Sequence, residues 1–402
     1  MVIDFYKMDK NRREAAEDVY NSLKAFEEEY QNNSSAESLS AERMRLTQTM
    51  ENFLNVSLDE QIEISKLSNG EWLCTSYRIL FEIADPFVAG NKFDDEFFRL
   101  IDICRTKSSD TLFELIKYSV FNLKNQSLQK YNYFVEYFAK YPLWGTLEPE
   151  KNDFETLKRR AVVLKRHSYD FLWLYRKLAD YLSKRTLCSI LFNWMIIDTN
   201  EIRYIKSIFP DYYEPDIFPN NKDDIFVDIG AYVGDSIINY IKTYGDDYKK
   251  IYAYEISPQS CEIMRQNLKN LHDIEIRCKG VSSEAGEFFM AASSEMSSNH
   301  LSVSGDSSSE RVETVALDED IPEGFTFLKM DIEGAEYDAL RGSEQIIRRC
   351  KPKLAVCVYH GYDDLWRIPA LIDSYNSGYS FYLRHNGGNL IPTEFVLLAR
   401  QM

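Results

Sequence analysis

The second half of the chain constrains the fold most, because short apolar runs alternate there with helical stretches. The strand-like runs span residues 225–229, 250–256, 274–281, 325–332 and 353–359. Patterns typical of amphipathic helices follow at 235–243, 258–271 and 335–349. This alternation predicts a parallel sheet covered by helices on both faces. Sheets of this kind bind ligands outside the carboxyl ends of their strands.

The first half follows a different pattern, because its apolar residues recur at helical spacing up to about residue 205. Segments 110–123 and 169–182 are predicted helices with aromatic-rich faces, whereas the serine-rich segment 32–42 predicts a linker. We therefore predict an all-α domain at residues 1–205 and an α/β domain at residues 206–402. The helical domain would serve substrate recognition or contacts within a homo-oligomer.

The charge of the chain argues against polyanionic partners. Its 402 residues include 47 basic and 64 acidic side chains, which gives a formal net charge of −17. Phosphate backbones and anionic lipids attract clustered Lys and Arg, so neither nucleic acid nor a membrane surface is expected as a partner. No apolar run approaches the roughly 18 residues of a membrane span.

The cysteines and the N-terminal sequence favour a cytoplasmic protein. The first residues lack the apolar stretch of a secretory signal. The seven cysteines are scattered without the spacing of a metal site. We therefore expect reduced thiols in a cytoplasmic setting.

A turn with two glycines follows the first predicted strand, in the sequence VDIGAYVGDS at 227–236. Glycine permits positive φ angles and lets a ligand approach the backbone. The spacing of Gly230 and Gly234 differs from the G-x-G-x-x-G of dinucleotide sites and from the P-loop pattern. Asp228 and Asp235 flank the turn, and their carboxylates would repel phosphate. The turn therefore predicts a ligand without phosphate and with positive charge.

S-adenosylmethionine meets these requirements, because it carries a sulfonium and an ammonium group and no phosphate. Glu255 ends the second predicted strand, where its carboxylate can accept hydrogen bonds from both ribose hydroxyls. Two other classes remain open. One is a dinucleotide-dependent oxidoreductase on a similar sheet, against which the missing third glycine counts. The other is a non-catalytic binding or scaffold protein with this fold.

From about residue 200 onward, the chain resembles the FkbM family of S-adenosylmethionine-dependent methyltransferases. The resemblance rests on VDIGAYVGDS, YAYEISP, LKMDIEGAEYDALRGSEQII, KPKLAVCVYH and YSFYLRH, at residues 227–236, 252–258, 328–347, 351–360 and 379–385. It implies a class I, Rossmann-like α/β fold with a seven-stranded, mostly parallel sheet. The last strand of that sheet would be antiparallel, at residues 394–400.

The resemblance also implies a chemistry. S-adenosyl-L-methionine would be the cofactor, S-adenosyl-L-homocysteine the product, and a hydroxyl of a sugar, glycan or secondary metabolite the acceptor. Many such enzymes place an acidic residue directly after the third strand, whereas this chain reads CKGVSSEAG at 278–286, so adenine would be recognised through the backbone. The predicted cofactor contacts are Asp228, Gly230, Ala231, Gly234, Asp235, Ser236, Glu255, Ile256, Gly280, Val281 and Asp331.

Candidate catalytic side chains follow the fourth and fifth predicted strands, on the rim that faces the cofactor. Asp331, Glu333 and His360 are the candidates for removing the hydroxyl proton or contacting the acceptor. Glu333 and Glu336 also stand near a helix start, where carboxylates satisfy free N–H groups. A divalent ion such as Mg²⁺ on Asp331, Glu333 and His360 is an alternative that we do not favour, so no metal ligand is predicted.

Two further segments are candidates for covering the cleft. The serine-rich segment 293–310, with His300 as a candidate acceptor contact, is typical of a surface loop or of a lid. Segment 209–219 contains three prolines, and its Tyr212 and Tyr213 would either cover the cofactor or belong to a structural strap.

Overall fold

The computed structural model describes residues 8, 10–31, 36–54, 66–199, 202–291, 300–302 and 311–401. The chain divides into two compact units. The first consists of Met1–Arg176 and Cys188–Asp198, and the second consists of Lys177–Leu187 and Thr199–Met402. The functional division at residue 205 stays a prediction.

The first unit is helical. Its helices are α1 (Lys10–Gln31), α2 (Ala36–Leu54), α3 (Asn69–Ala84), α4 (Lys92–Thr106), α5 (Ser109–Gln126), α6 (Leu128–Lys140), α7 (Glu155–Arg166) and most of α8 (Ser168–Lys177). Helix α9 (Tyr181–Ile196) is shared between the two units. The apolar face of α1 packs in the core of this unit, where the ring of Phe26 lies 5.0 Å from that of Trp72 on α3.

The linker prediction at 32–42 is wrong for residues 36–42, which belong to α2. Leu39 and Leu46 stand two helical turns apart and are both buried. Burial of this apolar stripe outweighs the weak local preference of serine for turns and caps.

The single helix predicted at 169–182 is also wrong, because α8 ends at Lys177 and α9 begins at Tyr181. Asp180 lies in the break and accepts a hydrogen bond from the backbone N–H of Ser183 at 2.7 Å, as a helix cap does. The guanidinium of Arg384 donates to the other carboxylate oxygen of Asp180 at 2.7 Å. These contacts stabilise the break between α8 and α9 in place of a continuous helix.

The second unit contains the predicted seven-stranded sheet. Its strands are β1 (Ile225–Ile229), β2 (Lys250–Tyr254), β3 (Ile274–Arg277), β8 (Phe327–Met330), β9 (Lys353–Cys357), β10 (Tyr379–His385) and β11 (Phe395–Gln401). The order across the sheet is β10-β11-β9-β8-β1-β2-β3. Strand β11 is antiparallel to both of its neighbours, and the other pairs are parallel. The fold prediction is therefore confirmed, and the order reverses between β1 and β8, where such sheets bind ligands.

A second, four-stranded sheet interrupts the predicted third strand. Its order is β4 (Gly280–Val281), β7 (Arg311–Val315), β5 (Gly286–Ala291) and β6 (His300–Ser302). The strand predicted at 274–281 thus comprises two strands in different sheets. The lid predicted at 293–310 lies outside the described residues except for 300–302, and the side chain of His300 is not among those described.

Helices of the second unit cover the larger sheet. They are α10 (Asp235–Tyr244), α11 (Pro258–Leu268), α12 (Leu317–Asp320), α13 (Glu336–Arg341), α14 (Glu344–Cys350) and α15 (Asp364–Tyr375). The stacked rings of Phe226 and Tyr240 join β1 to α10, with centroids 4.6 Å apart. The helix predicted at 335–349 is split at Gly342, where a Cβ would collide with the carbonyl oxygen of Ser282.

One pair of cysteines differs from the prediction that the cysteines are reduced thiols. Cys261 on α11 and Cys278 after β3 form a disulfide. Cys74, Cys104 and Cys357 are among the cysteines that remain free. Among the described residues, no helix combines the length and the apolar character that a membrane crossing requires.

Candidate active site

The glycine turn joins β1 to α10 at the point where the sheet order reverses. Gly230 and Gly234 have φ angles of 75° and 84°, in the left-handed region that favours glycine. A Cβ at Gly230 would collide with the carbonyl oxygen of Asp331, which follows β8. Gly230 is therefore required because the ends of β1 and β8 approach each other closely.

A cleft opens beside this turn and encloses about 900 Å³, including the part open to solvent. Most of the predicted site residues line it. They are Gly230, Asp235, Ser236, Glu255, Ile256, Gly280, Val281, Asp331 and Glu333. The structure thus brings together residues from the ends of β1, β2 and β8 and from β4.

Four predicted residues lie outside the lining, namely Asp228, Ala231, Gly234 and His360. Ala231 is fully buried, and Gly234 precedes the first residue of α10. Ala231 and Gly234 thus shape the turn. The cofactor contacts predicted for Asp228, Ala231 and Gly234 stay predictions.

Asp228 is buried behind the turn and is already paired. Its Oδ1 lies 3.1 Å from Nζ of Lys329, and its Oδ2 accepts a hydrogen bond from the hydroxyl of Ser236. Burial raises the pKa of Asp228, and the Lys329 and Ser236 contacts act against that rise. The free negative charge that the sequence suggested at Asp228 is therefore balanced within the protein.

Lys329 lines the cleft, although the sequence did not mark it as a site residue. It is 3% exposed and donates a hydrogen bond of 2.8 Å to the carbonyl oxygen of Gly230. Burial lowers the pKa of Lys329, but Asp228 and Asp331 raise it above the ordinary value. Lys329 therefore stays charged and ties β8 to the glycine turn.

Glu255 is held at the edge of the cleft by two backbone hydrogen bonds. Its carboxylate oxygens accept from the N–H of Tyr232 at 2.9 Å and of Ser257 at 2.8 Å. Burial raises the pKa of Glu255, and these two N–H groups oppose the rise. Because each carboxylate oxygen accepts more than one hydrogen bond, Glu255 can also accept from a ligand in the cleft.

Asp331 follows β8 and faces the cleft with 21% of its side chain exposed. The hydroxyl of Tyr212 donates to its Oδ2 at 2.7 Å. Burial raises the pKa of Asp331, but the charges of His360 and Lys329 and the Tyr212 hydrogen bond outweigh it, so the pKa lies below its ordinary value. Asp331 is therefore ionised at neutral pH.

His360 is buried behind Asp331. Its Nε2 lies 3.5 Å from Asp331 Oδ1 and 3.5 Å from Glu333 Oε2, and its Nδ1 lies 2.9 Å from Glu336 Oε1. Burial lowers the pKa of His360, but the surrounding carboxylates raise it to about 10. With this charge balance His360 carries a proton at neutral pH, and the catalytic role that the sequence suggested for it stays a prediction.

Glu336 is fully buried at the start of α13, near the helix start where the sequence expected a capping carboxylate. It accepts hydrogen bonds from the N–H of Ile332 at 2.8 Å and of Gly334 at 3.1 Å. Glu333 lies between these two residues with a φ of 56°, in the left-handed region. Glu336 thus fixes the loop that carries Glu333 toward the cleft.

Several lining residues were missed by the sequence analysis, namely Ile229, Tyr232, Tyr254, Lys279, Lys329 and Ile332. Tyr212 also lines the cleft, in the covering place considered for it, whereas Tyr213 is buried in the core. A signal for Lys329 was present, because a lysine inside an apolar strand needs a buried charge partner.

Comparison with known proteins agrees with this architecture. A family model described as the methyltransferase FkbM domain matches residues 228–381. Among solved structures, a methyltransferase FkbM from Methylobacillus flagellatus KT has 21% sequence identity and a TM-score of 0.50. That match covers 60% of this chain and 62% of the other, so this chain spans less than two thirds of that relative, and the likeness shows a shared fold.

Other solved structures are similar over smaller parts of this chain. An rRNA methylase from Streptococcus thermophilus is 15% identical over 46% of this chain and 89% of its own, with a TM-score of 0.30. A fibrillarin from Aeropyrum pernix, with natively bound S-adenosyl-L-methionine, is 10% identical over 45% of this chain and 68% of its own, also with a TM-score of 0.30. None of the curated proteins matches the chain.

The family expected from the sequence is thus matched over one segment, which runs from the end of β1 into β10. Residues 228–381 of this chain are a methyltransferase FkbM domain.

Proposed function

We propose that this protein transfers a methyl group from S-adenosylmethionine to a hydroxyl oxygen of a sugar, glycan or secondary metabolite. The observation that carries the proposal is the shared cleft of Glu255 and Asp331. Both carboxylates line it, one at the end of β2 and the other at the end of β8, on either side of the glycine turn. The cleft would thus combine Glu255, as a site for ribose hydroxyls, with Asp331, as an ionised group for the acceptor.

The residues of the cleft fit the proposed cofactor. Glu255 is preorganised by two backbone N–H groups and retains acceptor capacity for ribose hydroxyls. Asp235 lines the cleft and supplies a carboxylate for a cationic group, while Gly280 and Val281 leave the adenine side to backbone contacts. Bound S-adenosylmethionine would supply a methyl group on a sulfonium, which is already a good leaving group.

The protein itself would then contribute to catalysis by positioning the acceptor hydroxyl and by supplying one proton acceptor. Asp331 would accept a hydrogen bond from the acceptor hydroxyl and take its proton as the new carbon–oxygen bond forms. Because the pKa of Asp331 is low, the proton moves late, when the hydroxyl oxygen has become acidic. Holding the hydroxyl in line is worth about 7–11 kcal/mol in well-oriented systems, so positioning supplies the larger share.

The charges of the cleft disfavour a dinucleotide. Asp235, Glu255, Asp331 and Glu333 line it, and the two lining lysines are paired, Lys329 with Asp228 and Lys279 with Glu313. A pyrophosphate would meet these carboxylates without the third glycine that seats it in dinucleotide sites.

Two measurements on the purified protein test the proposal. S-adenosylhomocysteine should raise the melting temperature and NAD should not, whereas a response to neither ligand would favour a scaffold. A screen with radiolabelled methyl groups over sugars, glycans and small metabolites, with products identified by mass, should then yield a methyl ether. Transfer to nitrogen or carbon alone would contradict the hydroxyl acceptor.

A further inference from the structure

We propose that Asp331, Glu336 and His360 form a divalent metal site beside the cleft. Each of the three offers one ligand atom, and these atoms all lie within 4.8 Å of one another. Ligand atoms about 2.1 Å from one ion stand roughly 3.0–3.4 Å apart. Only one ring nitrogen of His360 can bind a given ion, so the three ligand atoms would have to draw together around that nitrogen by side-chain rotation to enclose an ion.

His360 provides a second observation that does not depend on the acidic residues. It is 2% exposed, and within the described part of the chain neither ring nitrogen makes a hydrogen bond of acceptable geometry. The separation of 3.5 Å from Asp331 exceeds that of an ordinary N–H···O bond, which is about 2.7–3.2 Å, and the 2.9 Å contact of Nδ1 with Glu336 lacks the geometry of one. A buried imidazole surrounded by carboxylate oxygens but not hydrogen-bonded to them has the surroundings of a metal ligand.

The surplus of negative charge points the same way. Glu333 lies 3.5 Å from Nε2 of His360, so three carboxylates surround one imidazole. A proton on His360, or a dication in place of that proton, reduces this surplus of negative charge.

The donor set indicates the class of ion. One imidazole with carboxylates suits a first-row ion such as Mn²⁺ or Fe²⁺ better than Mg²⁺, which prefers oxygen ligands and retained water. Asp331 lines the cleft and leaves an entry path, whereas Glu336 is anchored by two backbone N–H groups and gives the site rigidity. We therefore take Mn²⁺ as the probe.

The role of the ion rests on the proposed function. Held beside Asp331, a dication would polarise the acceptor hydroxyl and make its proton easier to remove. The ion would then share the activation that Asp331 would otherwise provide alone. The existence of the site, in contrast, does not require any methyl transfer.

The test is a Mn²⁺ titration of the full chain, followed by electron paramagnetic resonance and calorimetry, without cofactor or acceptor. We expect one saturable Mn²⁺ per chain. Asp331→Asn should weaken binding at least tenfold, and Glu336→Gln should do so if its melting temperature shows a folded protein. Asp338→Asn removes one exposed carboxylate from the same helix as Glu336 and should leave the affinity unchanged.

The outcomes separate the site from the proposed function. The absence of saturable Mn²⁺ binding would overturn the site, as would equal affinities in the Asp331→Asn and Asp338→Asn variants, even if methyl transfer is observed. Saturable binding that Asp331→Asn abolishes would support the site even if no hydroxyl acceptor is found. In the case of an active enzyme, chelator should lower turnover and Mn²⁺ should restore it.

Discussion

The hydroxyl of Tyr212 donates a hydrogen bond of 2.7 Å to Oδ2 of Asp331, a residue 119 positions further along the chain. The bond joins the proline-containing segment before β1 to the end of β8. The ring of Tyr212 also lies over Nζ of Lys329, at 5.1 Å from the ring centroid. Tyr212 therefore holds the carboxylate at the centre of the proposed chemistry and covers the cation that ties β8 to the glycine turn.

Replacement of Tyr212 by Phe should impair the enzyme more than the fold. The ring would remain over Lys329, while Asp331 would lose a hydrogen bond that fixes its orientation and lowers its pKa. Turnover should fall about tenfold, the scale of one hydrogen bond to a charged group. Steady-state kinetics and the melting temperature of the same sample measure both effects.

Tyr213 offers a matched control, because its buried hydroxyl has no hydrogen-bond partner among the described residues. Tyr213→Phe should leave turnover unchanged and keep or raise the melting temperature. Equal turnover in the two variants would show that the Tyr212 hydroxyl does not position Asp331.

The pairing of Lys329 with Asp228 predicts a large loss of stability on removing the cation. Lys329→Met would leave Asp228 fully buried and uncompensated, at a cost of about 3–5 kcal/mol. The double variant Lys329→Met/Asp228→Asn should recover at least half of that loss, because no buried charge is then unpaired. Urea unfolding of the single and double variants gives the comparison, and equal stability of the two would contradict the pairing.

His385 on β10 predicts a loss of stability in acid. Burial lowers the pKa of His385 to about 4, below the ordinary value of 6.5 that applies in the unfolded chain. The unfolded chain therefore binds more protons between these values, so stability is complete above about pH 6.5 and decreases as the pH falls toward 4. The contribution of His385 lost by pH 5 is roughly 2 kcal/mol.

Unfolding at pH 7.5 and pH 5 tests this directly. His385→Leu should reduce the acid-induced loss, whereas His272→Gln should not, because His272 is exposed and its neighbour Asp273 raises its pKa. An identical acid-induced loss in the His385→Leu variant and the parent protein would rule out the titration of His385.

The larger sheet could be predicted from the sequence because its signals are local. Strand β1 coincides with the predicted run 225–229, and β2, β8 and β9 lie inside their predicted runs. Each is a short apolar run followed by a turn, and burial on both faces leaves little freedom in how such a run pairs.

The parts that could not be predicted depend on contacts between distant residues. The break between α8 and α9 depends on Arg384, which pairs with Asp180 from β10. The split between α13 and α14 depends on Gly342 approaching the backbone of Ser282. A local pattern of apolar residues contains neither of these partners.

The candidate site divides in the same way. Gly230, Glu255 and Asp331 stand at strand ends, and the alternating pattern alone predicts that they face one cleft. The hydrogen bond of Tyr212 to Asp331 and the pairing of Lys329 with Asp228 could be found only in the structure, because each contact joins residues from different elements. The buried position of His360 could not be distinguished from a position on the rim by sequence.

The most direct test of the proposed function is calorimetry of S-adenosylhomocysteine binding to the parent protein and to Glu255→Ala. A ligand in the cleft would donate charge-assisted hydrogen bonds to Glu255, each worth about 1.5–3 kcal/mol. We expect one site per chain, an affinity at least tenfold weaker in Glu255→Ala, and no change in Glu262→Ala, which alters an exposed carboxylate on α11. An unchanged affinity in a folded Glu255→Ala variant, or no binding by the parent protein, would contradict the proposed cofactor site.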